Sequence, residues 1–239
     1  MAAVEFTNYS YIYHDGTSAL DGIDLRIEHG EKVALIGPNG AGKSTMLLAM
    51  SVFIHGAGSV KIDGIEANGK NAKKVRAIIG SVLQNPDEQL FMPTVFDDVA
   101  FGPMNMKLSE QEVRARTLDA LKTVGLEGME KKGPHHLSAG QKRAAAIATI
   151  LAMDTKIITM DEPDTSLDPR SRNRLVELLR SFDHTLIIAT CNMEFAARVC
   201  DRAVLVNDGK IIADGDAKVL LRDKRLMEEN GLETIGSAR

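Results

Sequence analysis

The feature that most constrains the fold is a short apolar strand that runs directly into a glycine-rich turn and then a helix. The strand is predicted at residues 32–36, and the helix runs from about Gly42 to Phe53. Between them the chain matches the complete phosphate-binding loop pattern. Its residues are Gly37, Pro38, Asn39, Gly40, Ala41, Gly42, Lys43, Ser44 and Thr45. Because such a turn presents backbone N–H groups and a helix N-terminus to an anion, the segment predicts a phosphate site in an α/β unit.

Two side chains of this turn have predicted roles with a nucleotide. Lys43 is expected to reach the β- and γ-phosphate oxygens, and Ser44 is expected to coordinate Mg²⁺. A glycine-rich turn without a ligand is the alternative. The strand before the turn and the helix after it argue against that alternative.

A second candidate site lies where an apolar strand, residues 157–160, ends in the adjacent carboxylates Asp161 and Glu162. Asp161 is expected to hold the metal through water. Glu162 points the other way along the strand and can orient and polarise the attacking water. On its own, an acidic pair after a strand is more often a helix N-cap. Its occurrence together with the phosphate loop favours the catalytic interpretation.

The rest of the chain alternates between strand and helix signals. Further strands are predicted at residues 4–13, 20–27, 185–189 and 203–206, and helical stretches at 109–124, at 139–153 and after Asp168 and Asn192. Strand signals are few between Phe96 and Met153, which predicts a helical insert. The alternation implies a mostly parallel sheet with its ligand site at the carboxyl ends of the strands.

The composition, with 44% hydrophobic and 26% charged residues, is ordinary for a globular protein. The longest nearly apolar run, residues 144–153, is well short of the roughly 18 residues of a membrane-spanning helix. The N-terminus lacks a secretory signal, so a cytosolic chain is expected. A net charge of −4 argues against broad nucleic-acid binding. Cys191 and Cys200 are expected to be reduced thiols.

A third motif, residues 137–143, begins a predicted helix. A serine such as Ser138 in front of a helix is commonly its N-cap. The motif also resembles the signature of the ABC ATPases, whose usual form has glycine where this chain has Ala139. The resemblance implies that Ser138, Gly140 and Gln141 face a nucleotide held by a second subunit. The active site would then be shared in a dimer.

The resemblance covers nearly the whole chain, in the order of the family's motifs. It implies that Tyr13 stacks on adenine, whereas the strand pattern alone makes Tyr13 a core residue. Gln84 matches the glutamine that touches Mg²⁺ and the attacking water and senses the membrane partner. Asp168, in the segment 166–168, matches the loop that crosses the dimer interface. Asp164 stands where threonine is commoner.

The family's switch histidine is missing, because Cys191 stands in its place. That imidazole normally contacts the γ-phosphate and holds water and the catalytic glutamate in line, whereas a cysteine is shorter and a weaker donor. Slow hydrolysis is therefore expected, unless water or a neighbour fills the role. The resemblance thus assigns catalysis to Glu162, Gln84, Lys43 and Cys191, nucleotide binding to Tyr13, the phosphate loop, Ser138, Gly140, Gln141 and Asp168, and Mg²⁺ to Ser44, Gln84 and Asp161.

The resemblance also implies the fold, an α/β P-loop NTPase of the ABC ATPase type. It has a mixed sheet core, an N-terminal antiparallel β subdomain and a helical insert subdomain. One cassette would span residues 1–239. Its core of RecA type would comprise residues 1–83 and 155–225. The helical signature subdomain would comprise residues 84–154, and a short tail would comprise residues 226–239.

Further segments resemble the energy-coupling-factor importers. Residues 83–91 followed by 98–103 are similar to that group. Residues 134–137 before the signature, together with residues 147–153 after it, are similar to its ATPases for cobalt and nickel uptake. The resemblance implies ATP and Mg²⁺ as cofactors and a second ATPase subunit, with a homodimer favoured. It also implies a transmembrane coupling subunit docked near the segment after Gln84, and a substrate-capturing membrane subunit. The chain would lie at the cytoplasmic face of the membrane.

Several alternatives stay open from the sequence. An ATPase of a vitamin importer, an exporter or lipid-transport ATPase, and a hydrolysis-impaired nucleotide-sensing subunit share the same motifs, although residues 85–91 argue against the exporter. ABC ATPases that act on DNA or ribosomes have a long coiled coil or a second cassette, and this chain has neither. His135 and His136 are interpreted as structural or interface residues, because adjacent side chains point apart and have no partner cluster. Neither the solute nor the choice between homodimer and heterodimer follows from the sequence.

Overall fold

The computed structural model describes residues 1–236, and within them ten β-strands and nine α-helices follow one another. In chain order they are β1 (Val4–Ile12), β2 (Ser18–Ile27), β3 (Lys32–Ile36), α1 (Lys43–Met50), β4 (Ala57–Ile62), β5 (Ile65–Glu66), α2 (Ala72–Arg76), β6 (Ile79–Val82), α3 (Val95–Asn105), α4 (Glu110–Thr123), α5 (Ala139–Leu151), β7 (Ile157–Asp161), α6 (Pro169–Arg180), β8 (Thr185–Thr190), α7 (Met193–Val199), β9 (Arg202–Asn207), β10 (Lys210–Asp216), α8 (Ala217–Leu220) and α9 (Lys224–Glu229). Residues 237–239, the end of the predicted tail 226–239, lie outside the described residues. No helix in residues 1–236 combines the length and the apolarity needed to cross a bilayer.

The chain forms two compact units. The first comprises residues 1–79, 156–162 and 183 onward, and the second comprises residues 80–155 and 163–182. Residues 163–182, which the sequence-based division assigns to the core, thus group with the helical part. The predicted boundaries of core and insert stay a prediction.

The first unit contains an antiparallel sheet with the strand order β2-β1-β4-β5 and a mostly parallel sheet with the order β10-β9-β3-β8-β7. Strand β6 begins at Ile79, where the first segment of this unit ends. Strand β3 runs parallel to β8 and β9, and β7 runs parallel to β8, while β10 is antiparallel to β9. The predicted α/β class, with a mixed sheet and an antiparallel N-terminal part, is confirmed.

The central strands bring the ends of several motifs to one edge of the parallel sheet. All of β8 is buried, as are β3 except its first residue and β7 except its last. Continuous apolar strands of this kind are typical of parallel sheets covered on both faces. Ile36 pairs with Thr190, and Asp161 pairs with Ala189. The phosphate loop, the acidic pair and the segment after β8 therefore start at the same edge, where ligands of such sheets bind.

One apolar core holds α1 against both sheets of the first unit. Its buried members include Phe6, Tyr9, Leu20, Leu35, Met46, Met50, Ile62, Ile187 and Val204. Burial of such side chains contributes roughly 1.5–3 kcal/mol each. The helix that follows the phosphate loop is thus anchored along its length.

The second unit is built from α3, α4 and α5 around its own core. Buried members of that core include Val95, Val99, Leu121, Leu126, Leu137, Ala145 and Ala148. Each helix begins at a side-chain cap, because Thr94, Ser109 and Ser138 each accept the N–H of the residue three positions on. Ser109 and Ser138 complete reciprocal capping boxes.

Element boundaries depart from the sequence-based prediction in a few places. Strand β1 ends at Ile12, so Tyr13 lies beyond it. Helices α1 and α5 end earlier than predicted, and Val52 and Asp154 just beyond them have φ of +60° and +57°, which a continuing helix does not allow. Strands β4, β5, β6 and β10 and helices α2, α3, α8 and α9 were not predicted. Their signals are weak, since β5 has two residues and α3 contains a proline.

Candidate nucleotide-binding site

Lys43 lies inside the phosphate loop. Its Nζ donates hydrogen bonds to the carbonyls of Gly37 at 2.7 Å and Pro38 at 3.0 Å. The residue is only 5% exposed. The side chain therefore crosses the loop from α1 to its first residues and holds a positive charge there. Charge-assisted hydrogen bonds to phosphate oxygens are among the strongest available to a lysine.

Two glycines allow the loop to approach neighbouring backbone closely. Gly37 has φ +153°, and a Cβ at this position would collide with the carbonyl oxygen of Val206. Gly42 has φ +108°, and its Cβ would lie 2.6 Å from the carbonyl oxygen of Ala19. Both positions exclude a side chain. Gly42 is also the N-cap residue of α1, so loop and helix N-terminus are continuous.

Tyr13 follows strand β1 and contacts the end of the phosphate loop. Its hydroxyl lies 3.1 Å from the hydroxyl of Thr45. The ring meets that of Tyr11 edge-on, with 5.0 Å between ring centroids. Tyr13 is 38% exposed, so the alternative that it is a core residue is wrong. An exposed aromatic ring with a fixed hydroxyl is suited to stacking on a nucleotide base.

The carboxylate of Asp161 fits a cation. Asp161 is the last residue of β7, and its Oδ1 is buried without a hydrogen-bond partner in the part of the chain that the structure describes. A buried carboxylate oxygen is costly unless a cation or water satisfies it. Ser44, the other proposed ligand in this unit, is exposed at the start of α1. A carboxylate and a hydroxyl are oxygen ligands of the kind that Mg²⁺ prefers.

Glu162 directly follows β7 with a left-handed backbone, φ +44°. Its Oε2 accepts hydrogen bonds from the backbone N–H of Cys191 at 3.3 Å and from the Cys191 thiol at 3.6 Å. Its own N–H donates to the carbonyl of Ala189 at 2.8 Å. A non-glycine residue in this conformation costs on the order of 1–3 kcal/mol, and such residues occur at functional sites as well as in turns.

The thiol of Cys191 is neutral at physiological pH. Partial burial raises its pKa, and the carboxylate of Glu162 raises that pKa further. Lys43 lowers the pKa by a smaller amount. A neutral thiol is a weak hydrogen-bond donor. The side chain beside Glu162 is thus shorter than the imidazole expected from the resemblance, and it is a weaker hydrogen-bond donor.

The signature motif lies at the start of α5 in the second unit. Ser138 Oγ accepts the N–H of Gln141 at 3.4 Å, and Gln141 Oε1 accepts the N–H of Ser138 at 3.0 Å. The capping role predicted for Ser138 is confirmed. Ser138 and Ala139 are exposed. At Gly140 a Cβ would lie 2.7 Å from Ser171 Oγ, so the start of α5 lies against α6.

Asp168 caps α6. Its Oδ1 accepts the N–H groups of Arg170 at 2.9 Å and Ser171 at 3.0 Å, and its Oδ2 accepts the Ser171 hydroxyl at 2.6 Å. The hydroxyl bond, more than the backbone bonds, lowers the pKa of Asp168. Ser171 therefore contacts both Gly140 and Asp168. Nearby Asp164 is buried and lies 3.8 Å from Nε of Arg172.

Gln84 lies beside the signature helix. A groove of about 430 Å³ is lined by Gln84, Ala139, Arg143 and Ser166, among other residues of the second unit. The carbonyls of Leu83 and Gln84 accept hydrogen bonds from Arg143, each at 2.6 Å. The sequence pattern alone did not single out Arg143 within the signature. The available signal was a charged residue followed by an otherwise apolar stretch of helix.

The structure distributes the predicted site residues over both units. The first unit contains the phosphate loop, Tyr13, Asp161, Glu162 and Cys191, and the second contains Gln84, Ser138, Gly140, Gln141 and Asp168. Pro38 and Asn39 of the loop line one pocket together with Cys191. His135 and His136 are exposed, with ring centroids 4.0 Å apart. The functional roles of these residues stay predictions.

Known proteins similar to this chain place it in a family. Residues 20–165 match the family model described as ABC transporter. The energy-coupling factor transporter ATP-binding protein EcfA of Methanosphaera stadtmanae is 45% identical over 96% of this chain and 84% of its own length. A putative ABC transporter ATP-binding protein of Streptomyces avermitilis is 43% identical over 97% of this chain and 88% of its own length.

Solved structures agree with the sequence relatives. CbiO1 of Clostridium perfringens, part of the ABC transporter complex CbiONQ, is 36% identical with a TM-score of 0.86, covering 95% of this chain and 94% of CbiO1. A dimeric ATP-binding cassette in a post-hydrolysis state with bound ADP and phosphate is 30% identical with a TM-score of 0.80, covering 90% of this chain and 98% of its own. The chain therefore belongs to the ABC transporter family, as an ATP-binding subunit of the energy-coupling-factor type. It is an ATPase, and the family couples ATP hydrolysis to transport.

Proposed function

We propose that this ATPase powers the import of cobalt or nickel ions. It would act as one of two cassettes docked on membrane partners at the cytoplasmic face of the membrane. The similarity to CbiO1 supports this assignment, as does the resemblance of residues 134–137 to the metal-ion branch of the importers. The ion is the cargo of the membrane partners, and the ATPase does not touch it.

The pair at the end of β7 is the observation that carries the hydrolytic part of the proposal. Asp161 presents a buried oxygen that has no partner among residues 1–236, and Glu162 is held by hydrogen bonds from Cys191. Bound Mg²⁺, held by Asp161 and Ser44, would neutralise negative charge on the phosphates. Glu162 polarises the attacking water, and Lys43 holds the γ-phosphate.

A second cassette completes the site in this proposal. Ser138 and Ala139 are exposed at the N-terminus of α5, where N–H groups and the helix dipole favour an anion. Each signature would face the γ-phosphate bound by the other subunit. ATP would thus close the dimer, and hydrolysis would reopen it. A homodimer is favoured, in which both sites lack the switch histidine.

An exposed aromatic pair supports docking of a transmembrane coupling subunit after Gln84. Phe91 is 63% and Phe101 is 44% exposed, and their rings pack edge-on with centroids 5.1 Å apart. Met104 and Met106 are also exposed in the same helical unit. Clustered exposed apolar side chains mark interaction surfaces more often than free surface.

Glu162→Gln tests the hydrolytic site. The amide keeps the shape of the side chain but cannot act as a base, so turnover should fall on the order of 10²–10⁴-fold while ATP stays bound. An ATP-dependent dimer on a sizing column is the expected result. Glu66→Gln, which removes a half-buried carboxylate of β5, is the control and should behave as wild type. Normal turnover in Glu162→Gln would remove Glu162 from catalysis.

The cargo is tested by expressing the chain with its membrane partners in vesicles or cells. ATP-dependent uptake of labelled cobalt or nickel, lost in Lys43→Ala, is expected. Elemental analysis of the purified complex should find the same metal. ATP-dependent uptake of a vitamin without metal uptake would instead identify a vitamin importer.

A hydrolysis-impaired, nucleotide-sensing subunit of a heterodimeric complex is the second candidate. The weak thiol donor beside Glu162 is the observation that favours it. It predicts ATP-dependent association with a second, histidine-bearing ATPase and no measurable turnover by this chain alone.

A further inference from the structure

Arg143 is a buried permanent charge between the signature helix and the segment that contains Gln84. It is the fifth residue of α5, and only 2% of its surface is exposed. Its Nη1 and Nη2 donate to the carbonyls of Leu83 and Gln84 at 2.6 Å each. These short distances are those of charge-assisted bonds. Two adjacent carbonyls are thus held by one planar guanidinium.

Further hydrogen bonds tie the same segment to α5 on either side of Arg143. Lys142 Nζ lies 2.6 Å from Asp87 Oδ1. Gln89 Nε2 donates to the carbonyl of Ala146 at 3.0 Å and to the hydroxyl of Thr149 at 2.8 Å. Gln89 Oε1 accepts the N–H of Leu83 at 3.0 Å, which closes the segment on itself. Residues 83–89 are therefore bonded to α5 along about two helical turns.

The burial of Arg143 makes this attachment hard to release. Moving residues 83–84 away from α5 would leave a buried guanidinium without these two acceptors. Removing one partner of a buried charge is strongly destabilising. The attachment therefore persists while other parts of the unit move. Ser138, which caps the same helix five residues earlier, stays in a fixed position relative to Gln84.

We propose that Arg143 is a positioning residue of the ATPase, which locks the Gln84 segment to the signature helix so that Gln84 and Ser138 move as one body. The proposal rests on the proposed function, because that function gives Gln84 and Ser138 their roles at the nucleotide. A displacement of the exposed residues after Gln84 would be transmitted to the signature motif through this attachment. Arg143 acts through Gln84 and does not itself touch nucleotide.

Hydrogen exchange of the full chain without nucleotide tests the attachment itself. In Arg143→Lys a compact ammonium cannot bond both carbonyls as the fork does. Loss of one charged hydrogen bond should raise exchange across residues 83–91 about tenfold to hundredfold. Ile147→Val, which removes a buried methylene from the same helix, is the control and should leave that segment protected. Wild-type protection in Arg143→Lys overturns the proposal.

If Arg143→Lys does not fold, Gln89→Met provides the same test. This substitution removes the hydrogen bonds from Gln89 to α5 and keeps a side chain of similar volume. Leu83 is left out of this comparison, because its own N–H loses its acceptor in the variant. Faster exchange at residues 84–91 supports the attachment, and unchanged exchange there overturns it.

Steady-state kinetics test the positioning role. Arg143→Lys should lower kcat about tenfold or more and leave the ATP dissociation constant unchanged, because the phosphate loop belongs to the other unit. Ile147→Val should lower the melting temperature without lowering kcat. A similar loss of kcat in Ile147→Val would mean that Arg143 acts only through stability, which overturns the proposal.

A double-mutant cycle separates this proposal from the proposed function. If Arg143 acts through Gln84, Arg143→Lys should cost little once Gln84→Ala has been made. Additive losses overturn the proposal and leave the function of Gln84 intact. A Gln84→Ala variant with wild-type kcat would instead remove the proposed role of Gln84, and the role of Arg143 as its positioning residue with it.

Discussion

The phosphate loop and the signature segment hold their functional groups in place by different means. In the first unit, β3, β7 and β8 end at one edge of the parallel sheet, and backbone pairing sets where the loop and the acidic pair begin. In the second unit, side-chain hydrogen bonds position the functional groups. Ser138 and Asp168 cap helices, and Arg143 bonds two carbonyls from 59 and 60 residues away.

This difference predicts whether a substitution in each region lowers ATP binding or ATP turnover. The loop is a local, backbone-built cradle, so one substitution inside it removes binding directly. The signature segment depends on contacts between residues distant in sequence, so substitutions there should leave ATP bound and lower the rate of hydrolysis. Substitutions in the phosphate loop are therefore expected to lower ATP binding, and substitutions in the signature segment are expected to lower turnover.

Lys43→Ala should give the largest effect. Loss of the charge-assisted bonds to the β- and γ-phosphates should weaken ATP binding on the order of 10²-fold or more. Equilibrium binding of a fluorescent ATP analogue measures this change. Lys142→Met removes a lysine of the second unit that bonds Asp87, and its ATP affinity should match wild type. Equal weakening in both variants would break the comparison between the units.

Cys191→His should raise steady-state turnover, by as much as about 10²-fold, with little change in ATP affinity. An imidazole can contact the γ-phosphate and hold water and Glu162 in line, which a neutral thiol does poorly. The control is Cys200→Ala, which removes the other, buried cysteine. Equal turnover of wild type and Cys191→His, with the same partners present, would show that this position does not limit the chemistry.

The first region could be predicted well from the sequence because its signals are local. A strand, nine consecutive loop residues and a helix stand side by side, as do the strand and acidic pair around Asp161. General rules of parallel sheets then predict that the phosphate loop and the acidic pair meet at one edge of the sheet. The tether between Tyr13 and Thr45 could not be predicted, since it joins residues 32 positions apart.

The second region was predicted in outline only. The cap at Ser138 follows from a local pattern, and it is present. The attachment of residues 83–89 to α5 depends on tertiary contacts, for which Arg143 gives no local signal. Helix α3 was missed for a similar reason, because its position depends on the packing of Val95 and Val99 in the core.

Ser138→Ala should lower turnover on the order of tenfold and leave ATP affinity of the single chain unchanged. The variant removes a hydroxyl proposed to face the other subunit's phosphate, and also a helix cap worth about 1 kcal/mol of stability. Ser109→Ala is a matched control, since Ser109 forms the equivalent capping box of α4. Both variants should melt at a lower temperature. If turnover falls equally in both, the loss comes from the helix cap alone.

Tyr13→Phe should give the smallest effect, because it removes one hydroxyl and keeps the ring. The phenylalanine can still stack on adenine, while the bond to Thr45 that fixes the ring beside the loop is lost. One neutral hydrogen bond contributes about 0.5–1.5 kcal/mol, so ATP affinity should fall roughly twofold to tenfold. Thr45→Val removes the other partner, and the double variant should be no worse than the worse single variant. Tyr11→Phe keeps the neighbouring ring and serves as the control. Additive losses would mean that the two hydroxyls act separately and that the bond between them does not fix the ring beside the loop.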